Sequence, residues 1–282
     1  MVELDYPGLD DLLRRALDED IGSGDITTNC CVEKNAVSKG TFILKEAGVI
    51  SGLGVLKRVF ELLDDTVRVV PLVSDGDALC AGAVIAEISG PSRAVLTGER
   101  VALNFLQHMS GIATRTAETA GNVSGMKTVI KDTRKTTPGL RALEKYAVRC
   151  GGGTNHRFNL TDGALIKDNH IKAAGGIKNA VHRMRDTLRE DHASMLIEVE
   201  TESLGQVEEA LAAGVDIIML DNMSPDMMAE AVKLINGRAL TEASGNMGNR
   251  DLRIIAETGV DFISIGALTH SVNALDISLK FD

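Results

Sequence analysis

The chain has 282 residues, 44% of them hydrophobic, and a formal net charge of −10 at pH 7. That is enough apolar material for one large or two modest cores, while the acidic balance excludes a general nucleic-acid binder. The absence of Trp and the scarcity of aromatic residues (3%) also argue against a stacking platform for bases.

No apolar run is long enough to cross a bilayer. The start, MVELDYPGLDDLLRRALDED, is acidic and amphipathic, without the apolar region of a secretion signal. A cytoplasmic protein is therefore expected. Its four cysteines, Cys30, Cys31, Cys80 and Cys150, have no metal-ligand spacing and are expected as reduced thiols.

Up to a boundary placed near residue 110, the pattern predicts a mixed α+β unit. LDDLLRRALDED and GLGVLKRVFELLDD have helical apolar spacing, GTFILKEA and AVIAEIS alternate like half-buried strands, and a long helical stretch begins at SRAVLTGERV. From residue 111 to 270 the chain becomes rhythmic. Short apolar runs at 127–131, 164–167, 195–200, 216–220, 238–244 and 261–266 alternate with helical segments at 139–149, 172–190, 203–213, 225–236 and 249–258. Such alternation predicts parallel strands joined by right-handed crossovers. In AAGVDIIML and ETGVDFISI, Gly ends a helix and Asp opens the next strand. Six units fall short of an eight-fold ring, so an incomplete (β/α) barrel of about six strands is the expected fold, with an open doubly wound sheet as its rival.

The strand ends carry polar residues that a plain core would not use. Residues two apart share a strand face, which aligns Lys131 with Val129, Lys167 with Leu165, and Asp221 with Met219. In MLIEVE, Leu196, Glu198 and Glu200 share one face. A barrel carries its active site at the C-terminal ends of its strands. Between Lys131 and Lys172 lie nine Lys/Arg and four acids, net +5 within an acidic chain, which points to a pocket for a small, highly anionic ligand. Near the end, Ser244-Gly245-Asn246-Met247-Gly248-Asn249 followed by a helix, and Gly266-Ala267-Leu268-Thr269-His270, suit phosphate binding by exposed N–H groups.

Several motifs together resemble the quinolinate phosphoribosyltransferase family, also called nicotinate-nucleotide pyrophosphorylase (carboxylating). They are Asp132-Thr133-Arg134-Lys135-Thr136-Thr137-Pro138-Gly139-Leu140-Arg141, Glu144-Lys145-Tyr146-Ala147-Val148, Asn155-His156-Arg157 and Leu165-Ile166-Lys167-Asp168-Asn169-His170. Further matches at 19–28, 99–104 and 266–271 extend the likeness over nearly the whole chain. The resemblance implies phosphoribosyl transfer from phosphoribosyl pyrophosphate to quinolinate with loss of CO2, giving nicotinate mononucleotide and pyrophosphate for NAD biosynthesis. It implies an N-terminal α/β sandwich domain (1–110), a barrel domain (111–270), and a tail (271–282) returning to the first domain. It also implies Mg2+ bound with the donor, and a homodimer whose subunits share their sites, with assembly of such dimers into a hexamer left open.

Carried over by position, the resemblance gives quinolinate to Thr133, Arg134, His156, Arg157 and Lys167, with Arg100 arriving from the partner subunit. It gives the donor to Lys135, Glu200, Asp221, Ser244, Gly245, Gly266 and His270. Lys167, Glu200 and Asp221 are the catalytic candidates, and Glu200 and Asp221 also face the metal. Asn246 departs from the Ser-Gly-Gly common in the family.

The chemistry of the residues agrees. Arg134 and Arg157 are forks suited to adjacent carboxylates, and a substrate with one acid would leave cations unmatched. The attacking ring nitrogen has its own lone pair, so alignment and charge placement are expected to dominate over general-base catalysis. Glu198 is expected either to touch ligand or to pair with Lys167, and His170 either to touch ligand or to orient a loop. Arg141, Lys145 and Arg149 recur at helical spacing and predict an exposed face. Cys150 is expected as a small buried thiol; His108, His182 and His192 as structural or solvated. Two alternatives remain: a Schiff-base barrel enzyme using Lys167, and a non-catalytic anion-binding protein on the same scaffold.

Overall fold

The computed structural model describes residues 6–191 and 195–282, so His192 lies outside the described residues. The chain forms two compact units. One runs up to Ala117 and includes Thr137–Gly152 and Ser271–Asp282; the other comprises Glu118–Thr136 and Gly153–His270.

The first unit opens with α1 (Leu9–Ile21), which turns Leu13 and Leu17 inward. The short α2 (Ile26–Cys31) follows, with Asp25 accepting from the Thr28 N–H at its start. Then come β1 (Val37–Leu44), β2 (Gly48–Val49), α3 (Leu53–Leu63), β3 (Arg68–Pro71), β4 (Ala78–Leu79), β5 (Val84–Pro91) and the 30-residue α4 (Ser92–Gly121). The start of α3 is capped from a distance: Asp75 accepts from the Gly52 and Leu53 N–H groups and from the Tyr146 hydroxyl.

In the second unit β6 (Val129–Lys131) is the first strand. The helix expected to follow it forms as α5 (Arg141–Cys150), but its residues belong to the first unit. Of its cations, Arg149 is exposed and Arg141 half-buried, but Lys145 turns inward. Lys145 is 3% exposed, and the adjacent Glu144, fully buried, meets His108 Nε2 at 2.9 Å and the Thr137 N–H at 3.1 Å. Cys150 is buried at the end of α5, and burial pushes its thiol pKa up, as befits an inert group.

Next come β7 (Ala164–Ile166), α6 (Asp168–Ala174), α7 (Ile177–Asp191), β8 (Ile197–Thr201), α8 (Leu204–Ala212), β9 (Ile217–Asp221), α9 (Pro225–Ile235) and β10 (Leu240–Ser244). After a single 3-10 turn at Met247–Asn249, the chain continues through α10 (Leu252–Glu257), β11 (Phe262–Ser264) and α11 (Ala267–His270). β12 (Ile277–Phe281) pairs antiparallel with β1, and the first unit's sheet reads β12-β1-β5-β3. The sequence pattern merges α6 and α7 into one helix over 172–190. The structure breaks it at Gly175 and Gly176 (φ +79° and +121°), where the Gly176 N–H returns to the Ile171 carbonyl.

The six strands of the second unit are all parallel, in the order β6-β11-β10-β9-β8-β7. In a closed ring β6 and β7 would be neighbours; here they are the two edges, with an isolated bridge from Lys131 to Thr154 beside the opening. This is the incomplete barrel, open along one seam. Repeated Asp residues hold its register. Asp216 accepts from the Ile197 N–H, and Asp261 from both the Thr241 N–H and hydroxyl, tying neighbouring strands at their starts. Ile166, Val199, Ile218, Leu220, Ala243 and Ile263 fill the outer face of the sheet.

A close approach inside the first unit gives a stability test. A Cβ on Gly111 in α4 would lie 2.1 Å from the Asn273 carbonyl oxygen. Gly111→Ala should therefore lower the melting temperature in thermal denaturation. Overpacking costs about 1–3 kcal/mol, more than the ~1 kcal/mol that Ala gains in a helix; a raised Tm would contradict the approach.

Candidate active site

The site begins with a clip at the open seam. Asp132, just past β6 and fully buried, accepts from the His156 N–H at 2.9 Å and from Asn155 Nδ2 at 2.5 Å. Its own N–H donates to the Thr154 carbonyl. One carboxylate thus joins the loop carrying Thr133, Arg134 and Lys135 to the loop carrying His156 and Arg157. The Thr269 hydroxyl on α11 donates to the Lys135 carbonyl at 2.7 Å, and Arg157 Nη1 donates to the Gly163 carbonyl at 2.8 Å.

These loops and the C-terminal strand ends enclose a cavity of about 420 Å³. Thr133, Arg134, Lys135, His156, Arg157, Lys167, Glu200, Asp221, Ser244 and Gly245 all line it. Leu165 and Met219 give it an apolar portion, and Asn222, Asn246 and Ser264 complete the wall. Gly266 and His270 sit beside Lys135: a Cβ on Gly266 would lie 2.9 Å from Lys135 Cδ and 3.1 Å from His270 Cδ2. Arg100 is an exposed residue of α4 in the first unit. His170 orients a loop, its Nδ1 accepting from the Lys167 N–H at 3.0 Å to close the first turn of α6. The segment after Gly245 differs from expectation. A 3-10 turn follows Asn246 (φ +53°), and α10 starts only at Leu252, so a turn rather than an α-helix N-terminus comes directly after the cavity-lining Gly245 and Asn246.

Charge governs this wall. Burial, then the Arg134 charge, lowers the Arg157 pKa, while Glu198 opposes that fall. Burial raises the Glu200 carboxyl; the Lys167 charge opposes it, and Asp221 and Asp168 reinforce it. Lys167 Nζ stands 3.6 Å from Glu200 Oε2 with its side chain 49% exposed. A solvated, paired ammonium is unlike the desolvated lysine of a Schiff-base enzyme.

Beneath the cavity lies a cluster that the sequence pattern only half reveals. Glu242, fully buried, meets Lys131 Nζ at 3.0 Å, and His156 Nε2 lies 3.4 Å from Glu242 and 3.1 Å from Glu198. Glu198 therefore pairs with His156, not with Lys167. Glu242 could have been found by the same alternation that singled out Glu198, since Leu240, Glu242 and Ser244 share a face of β10.

Burial pulls the His156 pKa down, but hydrogen bonds and charge from Glu198 and Glu242 outweigh it and push the value up to about 9. The Arg157 N–H, 2.7 Å from Nδ1, opposes protonation, since only a bare nitrogen accepts.

Models of the quinolinate phosphoribosyl transferase N-terminal and C-terminal domains match residues 25–110 and 112–280. The chain belongs to the quinolinate phosphoribosyltransferase family. It is 47% identical over 268 residues to a probable nicotinate-nucleotide pyrophosphorylase [carboxylating] of Bacillus subtilis, covering 95% of this chain and 91% of that one. A chloroplastic nicotinate-nucleotide pyrophosphorylase [carboxylating] of Arabidopsis thaliana is 44% identical, covering 96% and 82%. The crystal structure of NadC from Streptococcus pyogenes superposes with a TM-score of 0.92 at 46% identity, covering 99% of this chain and 98% of that one. Among the described residues, no helix is long and apolar enough to cross a membrane.

The His156 cluster predicts a pH dependence. Its folded pKa, about 9, lies above the ordinary 6.5, so its stabilisation is complete below about pH 6.5 and is lost as pH rises through about 9. Denaturant titrations from pH 6 to 10 should show His156→Gln flattening this decline, by at most about 3 kcal/mol. Parallel curves for the two proteins would remove the cluster from the pH response.

Proposed function

We propose that this chain transfers the phosphoribosyl group of phosphoribosyl pyrophosphate to quinolinate, with loss of CO2, to give nicotinate mononucleotide and pyrophosphate. One observation carries the reading: Arg134, Arg157 and Lys167 converge with Lys135, Glu200 and Asp221 on a single cavity at the mouth of the barrel. Two guanidiniums beside an ammonium match two adjacent carboxylates. Glu200 and Asp221, on neighbouring strands, face the sugar end.

The pyridine nitrogen attacks the anomeric carbon with its own lone pair and displaces pyrophosphate. The protein's contribution is therefore alignment and electrostatics. Arg134, Arg157 and Lys167 hold the diacid; Lys135 takes up phosphate charge; Glu200 and Asp221 stabilise positive charge developing on the ribose. Once the nitrogen is quaternised, CO2 leaves from the adjacent ring carbon and the cationic ring stabilises the electron pair left behind.

Glu200 and Asp221 also fit a divalent cation accompanying the donor, because burial and, after it, the Asp221 charge raise Glu200, and a cation would relieve both. When bound, Mg2+ supplies charge neutralisation for the departing pyrophosphate. The functional molecule in this reading is at least a homodimer, in which Arg100 of one subunit serves the cavity of the other.

Release of pyrophosphate and CO2 from quinolinate, phosphoribosyl pyrophosphate and Mg2+ tests the reaction. Wild type should turn over quinolinate and leave nicotinate untouched. Arg157→Lys should lower kcat/KM by roughly 100-fold, since a lysine cannot replace the bidentate fork. No turnover by wild type would overturn the assignment in favour of a non-catalytic anion binder. The shared site has its own test: Arg100→Ala and Lys167→Ala proteins, each nearly inactive alone, should regain about a quarter of wild-type activity after mixing and subunit exchange. Continued inactivity of verified mixed dimers would place Arg100 in its own subunit's site, and wild-type activity of Arg100→Ala alone would place it outside any site.

A further inference from the structure

We propose that Glu242 is a positioning residue for the quinolinate pocket, acting through His156 from inside the barrel. The proposal deepens the function given above and rests on it.

Barrel interiors are filled by Val, Ile and Leu, and apolar replacements of buried ion pairs are often neutral or stabilising. A fully buried Glu242 with Lys131, His156 and Glu198 around it therefore calls for an explanation other than stability. The ligand atoms of His156, Glu198 and Glu242 lie within 4.8 Å of one another, a spacing that could hold a metal. Here Lys131, 3.0 Å from Glu242 and 3.4 Å over the Phe262 ring, brings a fixed cation to the cluster.

The geometry links this cluster to the pocket. His156 Nε2 is fully buried and faces the two carboxylates, while Nδ1 faces the Arg157 N–H. The backbone of Arg157 is thus referenced to Glu242 through one imidazole ring. The facing charges come from every side: Lys131 on β6, Glu198 on β8, Glu242 on β10, and Arg134 and Arg157 on the loops. Turned inward at Nε2, His156 acts as a strut for the carboxylate-binding wall.

Glu242→Gln gives a test by sign. Removing a negative charge beneath a cationic pocket should, by Coulomb attraction alone, tighten binding of a dianion. Loss of the strut should weaken it. Calorimetric titration with quinolinate alone should show at least tenfold weaker binding for Glu242→Gln. It should show comparable weakening for Glu242→Asp, which keeps the charge but withdraws the oxygens. Phosphoribosyl pyrophosphate with Mg2+ should bind both variants within twofold of wild type.

Tighter or unchanged quinolinate binding by Glu242→Gln, or an equal loss for both substrates, overturns the proposal. Should Glu242→Gln fail to fold, Glu242→Asp carries the same comparison, and wild-type quinolinate affinity in it overturns the strut. The ring 15N signals of His156, assigned with His156→Gln, give a readout independent of activity. They should move in the Glu242 variants, and unmoved signals overturn the proposal even if wild type binds no quinolinate, a result that would itself refute the assigned reaction.

Discussion

Cations gathered at one end of a barrel repel one another, and this repulsion must be met before any ligand arrives. Burial, and after it the Arg134 charge, lowers the pKa of Arg157, and Glu198 opposes that effect. Lys167 is answered by Glu200 at 3.6 Å and Lys131 by Glu242 at 3.0 Å. The carboxylates lie on β8 and β10, on strand positions facing the interior, so a rigid sheet holds the counter-charges. The pocket can then be cationic enough for a dianion without depending on the ligand for its shape, a condition for preorganised electrostatics.

The open seam serves the same end. In a full ring, a helix between β6 and β7 would pack over that part of the sheet. Here the corresponding helix, α5, belongs to the first unit, and the chain re-enters the barrel through Gly153 and Thr154 beside Lys131. The freed edge of β6 lets Asp132 reach the backbone of His156, which no closed strand pair would allow. Arg134 and Arg157, 23 positions apart in sequence, become neighbours through that one buried carboxylate.

Much of this was legible in the sequence because periodicity and strand-end chemistry are local signals. The six strands lie within a few residues of their apolar runs, and alternation placed Glu200, Asp221 and Lys167 on the faces they occupy. Other features depended on tertiary context. The apolar spacing of 172–190 carries no sign of the break that Gly175 and Gly176 impose through positive φ. Lys145 is at helical spacing with Arg141 and Arg149, yet burial depends on what faces a helix, and it is buried. Glu198, open in the sequence between a ligand contact and a pairing with Lys167, pairs instead with His156, which comes from a loop outside the reach of strand alternation. Motif likeness, more than spacing, brought His156, Arg157 and Lys135 into the site.

The wall of the cavity around Asp221 shows how backbone and charge are set together. Asp221 closes β9, and Asn222 follows at φ +55°, a left-handed conformation that Asn tolerates better than most residues. Its Nδ2 donates to Asp221 Oδ2 at 2.6 Å, and its N–H donates to the Ser244 carbonyl at 3.0 Å. The space this fold requires is taken from Gly245, where a Cβ would fall 2.3 Å from Asn222 Oδ1 and 2.7 Å from its backbone nitrogen. Any side chain at Gly245 would displace Asn222 and turn the Asp221 carboxylate. Gly245 is thus required by the orientation of an acid on the neighbouring strand. The same backbone turn therefore shapes the loop after β10 and aims the Asp221 carboxylate at the cavity.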